Sequence, residues 1–280
     1  MRKILAVSGG VDSVVMLHYF RNDPEAIVAH YNHGIRPNSS EDQAFVERLA
    51  TQYGLKFVTK NAQLGPETSE ATARKARYDF LFSVCNEYDG ELYVAHHRDD
   101  VYESIAINIL RGTGWRGLAP LRNPQVKRPL LDWEKRDIYI YATMNRLSFR
   151  QDQTNTEDGY LRNRVRAALL GATQEQKDNL YRLYLDQCQI ADQIEELIST
   201  WHQGKDKSIK RDIFDTIDDN IALELLRDYL QEYDISQTRP QLRRILAAIR
   251  EYQAGKRFPL GKDAFIQISK YNFSVKKANA

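Results

Sequence analysis

Short apolar runs alternate along the chain with longer stretches in which apolar residues recur three and four apart. Ile4-Leu-Ala-Val7 is wholly apolar and runs into Gly9-Gly10, which suits a strand buried on both faces and a tight turn after it. Val14, Val15, Leu17 and His18 to Phe20 then suit a helix laid on a sheet. Ala26 to His30, Lys56 to Thr59 and Leu92 to His96 read as three further strands. Between them, Ser40-Glu-Asp-Gln43 has the form of a capping box and predicts a helix carrying Phe45, Leu49 and Tyr53 on one face. Thr68 to Tyr88 predicts a long helix with Ala73, Ala76, Phe80, Leu81 and Val84 inward, and Val101 to Leu110 another with Ile105 and Ile109 on one side. Strands alternating with amphipathic helices predict an α/β fold: a Rossmann-like parallel sheet with helices on both faces.

From about Leu161 the texture changes. Leu180, Leu183, Tyr184, Ile190, Ile194, Leu197 and Ile198 recur at helical spacing. Gly204-Lys-Asp-Lys-Ser208 is a polar break that suits a linker, and Ile221 to Tyr233 and Gln241 to Tyr252 predict two more helices. The expected organisation is a catalytic domain over 1–203 and a small, mainly helical domain over 204–280. A length of 280 residues suits two domains. Two cysteines, Cys85 and Cys188, are too few for a disulfide framework or a cysteine-rich metal site, which points to a reducing, cytoplasmic setting. Arg2 and Lys3 lead into only four apolar residues, unlike a signal peptide, and no apolar run approaches ~18 residues, so no membrane span is expected. A net charge of +2 is too small to name a partner.

In a parallel sheet, ligands bind at the carboxyl ends of the strands. Three of those ends are polar: Ser8-Gly-Gly-Val-Asp-Ser13, His30-Tyr-Asn-His33-Gly-Ile-Arg36 and His96-His97-Arg-Asp99-Asp100. A glycine-rich turn from strand to helix gathers backbone N–H groups beside a helix N-terminus, an arrangement suited to phosphate. Ser8 and Ser13 add hydroxyls, Gly9 and Gly10 allow close approach, and Asp12 makes sense beside phosphate through a bridging Mg²⁺. Neither GxxxxGK[ST] nor GxGxxG is present, so a nucleotide site of another type is inferred. An ordinary strand–helix turn would use the same glycines. The four histidines at strand ends, with Asp99, Asp100 and Glu103, also resemble the makings of a transition-metal site, although His-x-x-His here lacks the helical spacing of a zinc pair.

The stretch SGGVDS after a first strand resembles the pyrophosphate-binding loop of the N-type ATP pyrophosphatases, enzymes with an adenine nucleotide alpha-hydrolase-like fold. Later segments are similar to one family within that superfamily, the tRNA(Ile)-lysidine synthetases. They are His30-Tyr-Asn-His33-Gly-Ile-Arg36 with Ser40 and Asp42, the helix Glu70 to Tyr78 with paired Arg74 and Arg77, and His96-His97-Arg-Asp99-Asp100-Val-Tyr-Glu103-Ser104. Arg111-Gly112-Thr113-Gly114-Trp-Arg-Gly117-Leu118, Arg128-Pro-Leu130 and Tyr160-Leu-Arg162-Asn163-Arg-Val-Arg166 follow in family order, so the resemblance covers about residues 4 to 166. Ser104 stands where the family commonly has Thr, and Asp152-Gln-Thr154-Asn155 where D-x-S-N is usual.

The resemblance implies ATP and Mg²⁺ as cofactors, L-lysine and a CAU-anticodon tRNA(Ile) as partners, and a ligase that joins lysine to C2 of the wobble cytidine through an adenylated tRNA. It implies ATP binding by Ser8, Gly9, Gly10, Val11, Asp12, Ser13, His33 and Arg36, and catalysis by Asp12, Asp100 and Glu103, with Mg²⁺ on Asp12 and Asp100. Substrate binding falls to Arg74, Arg77, Arg111, Gly112, Thr113, Gly114, Arg162, Asn163 and Arg166. A homodimer is compatible with it. The alternatives are another tRNA-modifying enzyme of the superfamily, such as a tRNA thiolase, or a non-catalytic nucleotide-dependent RNA-binding protein; a cluster-bearing thiolase needs Cys-x-x-Cys pairs that are absent here.

The residues themselves add two points. Asp100 and Glu103 are three apart near a helix start, so they share a face and suit an incoming ammonium, although acidic residues are favoured at a helix start in any case. Basic residues cluster from Arg111 to Arg128, at Arg162, Arg164 and Arg166, and at Arg239, Arg243, Arg244, Arg250, Lys256 and Arg257, as phosphate contacts require. Gly112, Gly114 and Gly117 predict a mobile segment around Trp115, which could stack on an unpaired base.

Overall fold

The computed structural model describes the chain except for residues 35–38, 63–64, 66–67, 151–156, 203–207, 262 and 278–280. It divides into two compact units, 1–189 and 190–280.

The first unit runs β1 (Arg2–Ala6), α1 (Val11–Tyr19), β2 (Ala26–Asn32), α2 (Ser39–Gln52), β3 (Lys56–Asn61), α3 (Glu70–Tyr88), β4 (Gly90–Tyr93) and α4 (Arg98–Leu110). A short strand β5 (Val126–Lys127), helices α5 (Lys135–Met144) and α6 (Glu157–Leu170), and the part of α7 (Gln174–His202) up to residue 189 follow. The sheet order is β3-β2-β1-β4-β5, with every pairing parallel. The period-2 alternation of a strand sends Ile4 to one face, against Ile27, Phe80, Leu81 and Leu92, and Leu5 to the other, against Val15, Val28, Val46 and Ile138. Both faces are thus covered, α3 on one side and α1, α2 and α5 on the other. This is why β1 and β2 read as continuous apolar runs.

The chain steps outward from β1 to β2 and β3, then returns to place β4 on the other flank of β1. The order reverses between β1 and β4, and the crevice at their carboxyl ends is where such sheets take ligands. Ser8–Ser13 leaves β1 there, and His96–Asp100 leaves β4 beside it.

Several expectations shift at element ends. Helix α2 begins at Ser39, so Ser40 lies within its first turn rather than capping it. Helix α3 begins at Glu70, because Ser69 caps it: its Oγ accepts the Thr72 N–H at 3.2 Å. In α4 the buried stripe is Val101, Tyr102 and Ile105, while Ile109 is 54% exposed.

In the second unit β6 (Ile209–Lys210), α8 (Arg211–Thr216), α9 (Asp219–Gln231) and α10 (Arg239–Glu251) precede β7 (Arg257–Pro259), β8 (Ala264–Ile268) and β9 (Asn272–Lys277). Helices α9 and α10 are the two predicted; the antiparallel sheet β6-β9-β8-β7 was not anticipated. Phe214, Leu226, Tyr229, Leu242, Ile249, Ile266 and Phe273 form its core, and Ile194 and Ile198 of α7 pack into it. Those two side chains explain why the compact unit starts inside α7 rather than at the expected boundary after residue 203; of the predicted linker over 204–208, residues 204–207 lie outside the described residues. Among the described residues no helix is long and apolar enough to cross a membrane.

Candidate active site

The turn after β1 is organised by its own hydroxyls. Ser13 Oγ accepts the N–H groups of Ser8 (3.2 Å) and Gly9 (3.1 Å) and donates to the Gly10 carbonyl at 2.9 Å. Ser8 Oγ lies 3.2 Å from Ser13 Oγ. Gly9 has φ +96°, a conformation side-chain-bearing residues rarely adopt, which is why glycine stands there. Its carbonyl accepts the Arg150 N–H at 2.9 Å, and the Arg150 guanidinium reaches Asp42 (2.8 Å) and Glu41 (2.7 Å) on α2. Val11 buries its side chain in the core, so only its backbone faces the turn.

Asp12, in the first turn of α1, meets the element leaving β4. His97 Nε2 stands 3.7 Å from Asp12 and 3.6 Å from Asp100, and its Nδ1 stands 3.6 Å from Asp99. Burial pushes the His97 imidazole down, but the Asp99, Asp100 and Asp12 carboxylates outweigh it and hold the ring above its usual range. These separations exceed hydrogen-bond reach, so the attraction is Coulombic. Asp100 Oδ2 accepts the His97 N–H at 2.9 Å, fixing the start of α4.

Lys135, at the start of α5, is the residue that sequence reasoning missed. Its Nζ lies 2.6 Å from Asp12 Oδ1, and its backbone N–H donates to Asp99 Oδ2 at 2.8 Å. Local sequence around Lys135 carries no sign of this, because its partner is 123 residues away. Asp12 and Asp100 both face one imidazole nitrogen and so have a common point in reach. A hard cation that prefers oxygen would suit them. Among the described residues no three His, Cys, Asp or Glu side chains converge on a metal-holding group. The transition-metal alternative also loses His30, whose Nδ1 is 2.8 Å from the Val7 carbonyl.

Glu103, one turn beyond Asp100, is only 4% exposed. It is gripped by Arg166 of α6, Nε to Oε1 at 2.6 Å and Nη2 to Oε2 at 3.0 Å, with Arg162 Nε at 3.6 Å. The sequence reading assigned these carboxylate and guanidinium groups to separate substrates; the structure pairs them with each other. Asn163, between them, is exposed.

Arg74 and Arg77 lie by the ring of Tyr78, at 5.3 and 5.5 Å. Burial above all, then the cations Arg128, Arg74 and Arg77, lower His96 to about 4, against the opposing pull of Asp100. His96 is therefore neutral near pH 7. His33 follows β2 and meets the Tyr31 ring edge-on at 4.7 Å; Arg36 lies outside the described residues.

Arg111, Gly112, Thr113 and Gly114 stand apart from this cluster. Arg111 lies eleven positions beyond Asp100, about 16 Å of helical rise. The segment makes contacts of its own. The Thr113 N–H donates to Asn108 O at 3.0 Å and Asn108 Nδ2 to Gly117 O at 2.9 Å. Gly117 sits so close that a Cβ there would fall 1.9 Å from Thr113 Oγ1. Trp115 has the Arg116 guanidinium 4.6 Å from its ring centroid.

The PP-loop domain profile matches residues 1–173. The chain is 37% identical over 196 residues to the bifunctional protein TilS/HprT of Listeria monocytogenes, covering 64% of this chain and 30% of that one. It is 37% identical over 187 residues to the tRNA(Ile)-lysidine synthase of Geobacter sulfurreducens (60% and 39%), and 31% over 198 residues to that of Thermotoga maritima (64% and 48%). The chain thus spans less than half the length of these relatives. Among solved structures, the U34-tRNA thiolase NcsA from Methanococcus maripaludis, with its [4Fe-4S] cluster, superposes with TM-score 0.58 at 19% identity, over 69% of this chain and 72% of that one, a likeness of fold. With the profile covering more than half of the sequence and the loop, switch point and strand-end residues in place, the chain belongs to the PP-loop family.

Proposed function

We propose that the protein ligates L-lysine to C2 of the wobble cytidine of CAU-anticodon tRNA(Ile), at the expense of ATP, in the cytoplasm. The observation that carries this reading is Glu103: a nearly buried carboxylate, one turn from Asp100 on α4, already holding a nitrogen cation. The names of the relatives support it.

In this reading the turn Ser8–Ser13 and the α1 N-terminus receive the β- and γ-phosphates of ATP, and His33 and Arg36 belong to the same nucleotide site. Asp12 and Asp100 would hold Mg²⁺, which offsets phosphate charge. The cytidine O2 attacks the α-phosphorus, the bond to the β-phosphate oxygen breaks, and pyrophosphate leaves. O2 is then part of a good leaving group. The ε-amine of lysine attacks C2, the C2–O2 bond breaks, and AMP departs with that oxygen. Lysine arrives as an ammonium; Glu103 and Asp100 hold it and take the proton that frees its lone pair. Arg74 and Arg77 offer cations to its carboxylate or to RNA. Arg111 to Gly114, Arg162, Asn163 and Arg166 contact RNA, as does the second unit through the exposed Arg243 and Arg244.

Thiolation fits less well. The sequence holds two cysteines, and burial raises the Cys85 thiol to about 11, which leaves it a poor nucleophile. Exchange of labelled pyrophosphate into ATP tests the adenylating half-reaction. It should require the tRNA and proceed without lysine; exchange without RNA would point to another acceptor.

A further inference from the structure

We propose that Arg166 is a positioning residue: it keeps the Glu103 carboxylate closed to the substrate amine until an RNA phosphate draws its guanidinium away, so that the amine binds after the RNA. This rests on the functional reading above.

Both oxygens of Glu103 are engaged by Arg166, at 2.6 and 3.0 Å, and Arg162 stands 3.6 Å away. An ammonium arriving at Glu103 needs those same oxygens, so the amine and Arg166 exclude one another. Burial makes the choice sharp: the Glu103 side chain is 5% exposed, and a carboxylate so far from water must be paired with a cation or else protonated. The two partners are unequal. The Arg166 side chain is 56% exposed, and the fork to Glu103 uses only two of its five N–H donors. Phosphate can therefore approach from the solvent side while the carboxylate pair still holds.

A guanidinium forks onto phosphate much as it does onto carboxylate, so the exchange is close to balanced and the local phosphate concentration decides it. Its hydrogen bonds to Glu103 above all, against the opposing effect of burial, raise the Arg166 pKa, and the fields of Glu103, Asp100 and Asp12 add to this and hold it over the site in the absence of a competing anion. Helix α6 carries Arg162 and Arg166 one turn apart on the face toward Glu103. An RNA strand along that helix offers several phosphates at once. The order suits the chemistry, since an amine admitted early would meet ATP with no activated carbon to attack.

The test is equilibrium binding of labelled lysine, with and without a CAU anticodon stem-loop and a non-hydrolysable ATP analogue, read beside the Arg Nε–H signals in a ¹⁵N NMR spectrum. The Arg166 signal is assigned by its loss in Arg166→Lys. If Arg166 occupies Glu103 for 90 to 99% of the time, apparent lysine affinity is reduced roughly ten- to a hundredfold. Arg166→Gln should recover that factor without RNA. In the wild type, stem-loop should shift the Arg166 signal and raise lysine affinity together. The proposal is overturned if RNA-loaded wild type binds lysine but RNA neither moves the Arg166 signal nor changes the affinity, or if a folded Arg166→Gln binds no better than wild type without RNA. Lysine that fails to bind even the RNA- and nucleotide-loaded wild type overturns the ligase reading instead.

Discussion

Replacing Asp12 with Asn separates the chemistry of the site from its stability, because the shape is kept and the charge removed. Asp12 and Lys135 form a pair at 2.6 Å, with side chains 29% and 34% exposed. After solvent screening such a pair contributes about 0.5–1 kcal/mol. An acidic residue in the first turn of a helix adds about 0.3–1 kcal/mol. The fold should thus lose at most about 2 kcal/mol, a melting-temperature fall of a few degrees for a unit of this size. Catalysis should suffer far more. The variant lacks a carboxylate that would hold Mg²⁺ against phosphate, an electrostatic contribution of several kcal/mol, and each 1.36 kcal/mol lost from transition-state stabilisation is a factor of ten in rate. Pyrophosphate release with ATP and tRNA should fall at least about a hundredfold. The assay pairs that release with a thermal melt. Near wild-type release from a folded Asp12→Asn protein would refute the role given to this carboxylate; a melting fall beyond about 10 °C would refute the claim that the pair is only a modest structural contact.

Gly9→Ala should weaken ATP binding and cost about 1–2 kcal/mol for the positive φ alone, because its Cβ would meet Phe45 and Val46 at an ordinary 3.5 Å; calorimetry and a melt check both. Stability should fall as pH drops from 6.5 toward 4. Over that window the unfolded chain protonates His96 while burial and three arginines keep the folded ring neutral, so the slope approaches about 1.4 kcal/mol per pH unit for this group, and urea titrations of His96→Gln should show a flatter profile. The basic cluster of the second unit should split in function. Arg243→Ala and Arg244→Ala should each reduce the log–log salt slope of tRNA binding by roughly 0.7–0.9. Arg250→Ala should instead destabilise by about 1–3 kcal/mol, since its Nε donates to the Phe214 carbonyl at 2.8 Å and its Nη1 to Asp219 at 2.7 Å.

Arg250 also shows where sequence stops informing. Six basic residues in one stretch read as a phosphate surface, yet Arg250 is drawn inward to Phe214 and Asp219, and nothing in its local pattern distinguishes it from Arg243. The parallel sheet was legible because strands buried on both faces must be apolar throughout, as Ile4–Val7 and Ala26–Ala29 are. Strand β5 was not, because two residues carry no periodicity; nor was the β7–β9 sheet, whose strands are short and interrupted by polar residues. The site divides in the same way. Ser8–Ser13 and Asp100/Glu103 are local spacings and could be read directly. Lys135 on Asp12 and Arg166 on Glu103 pair residues 123 and 63 positions apart, which only the folded chain brings together.

Incorporation of labelled lysine into an isoleucine tRNA transcript tests the central claim most directly. With ATP and Mg²⁺ the protein should attach lysine to a transcript bearing the CAU anticodon, release one pyrophosphate per lysine attached, and leave a GAU transcript unlabelled. Pyrophosphate release with no lysine on the CAU transcript, or labelling of both transcripts alike, would contradict it.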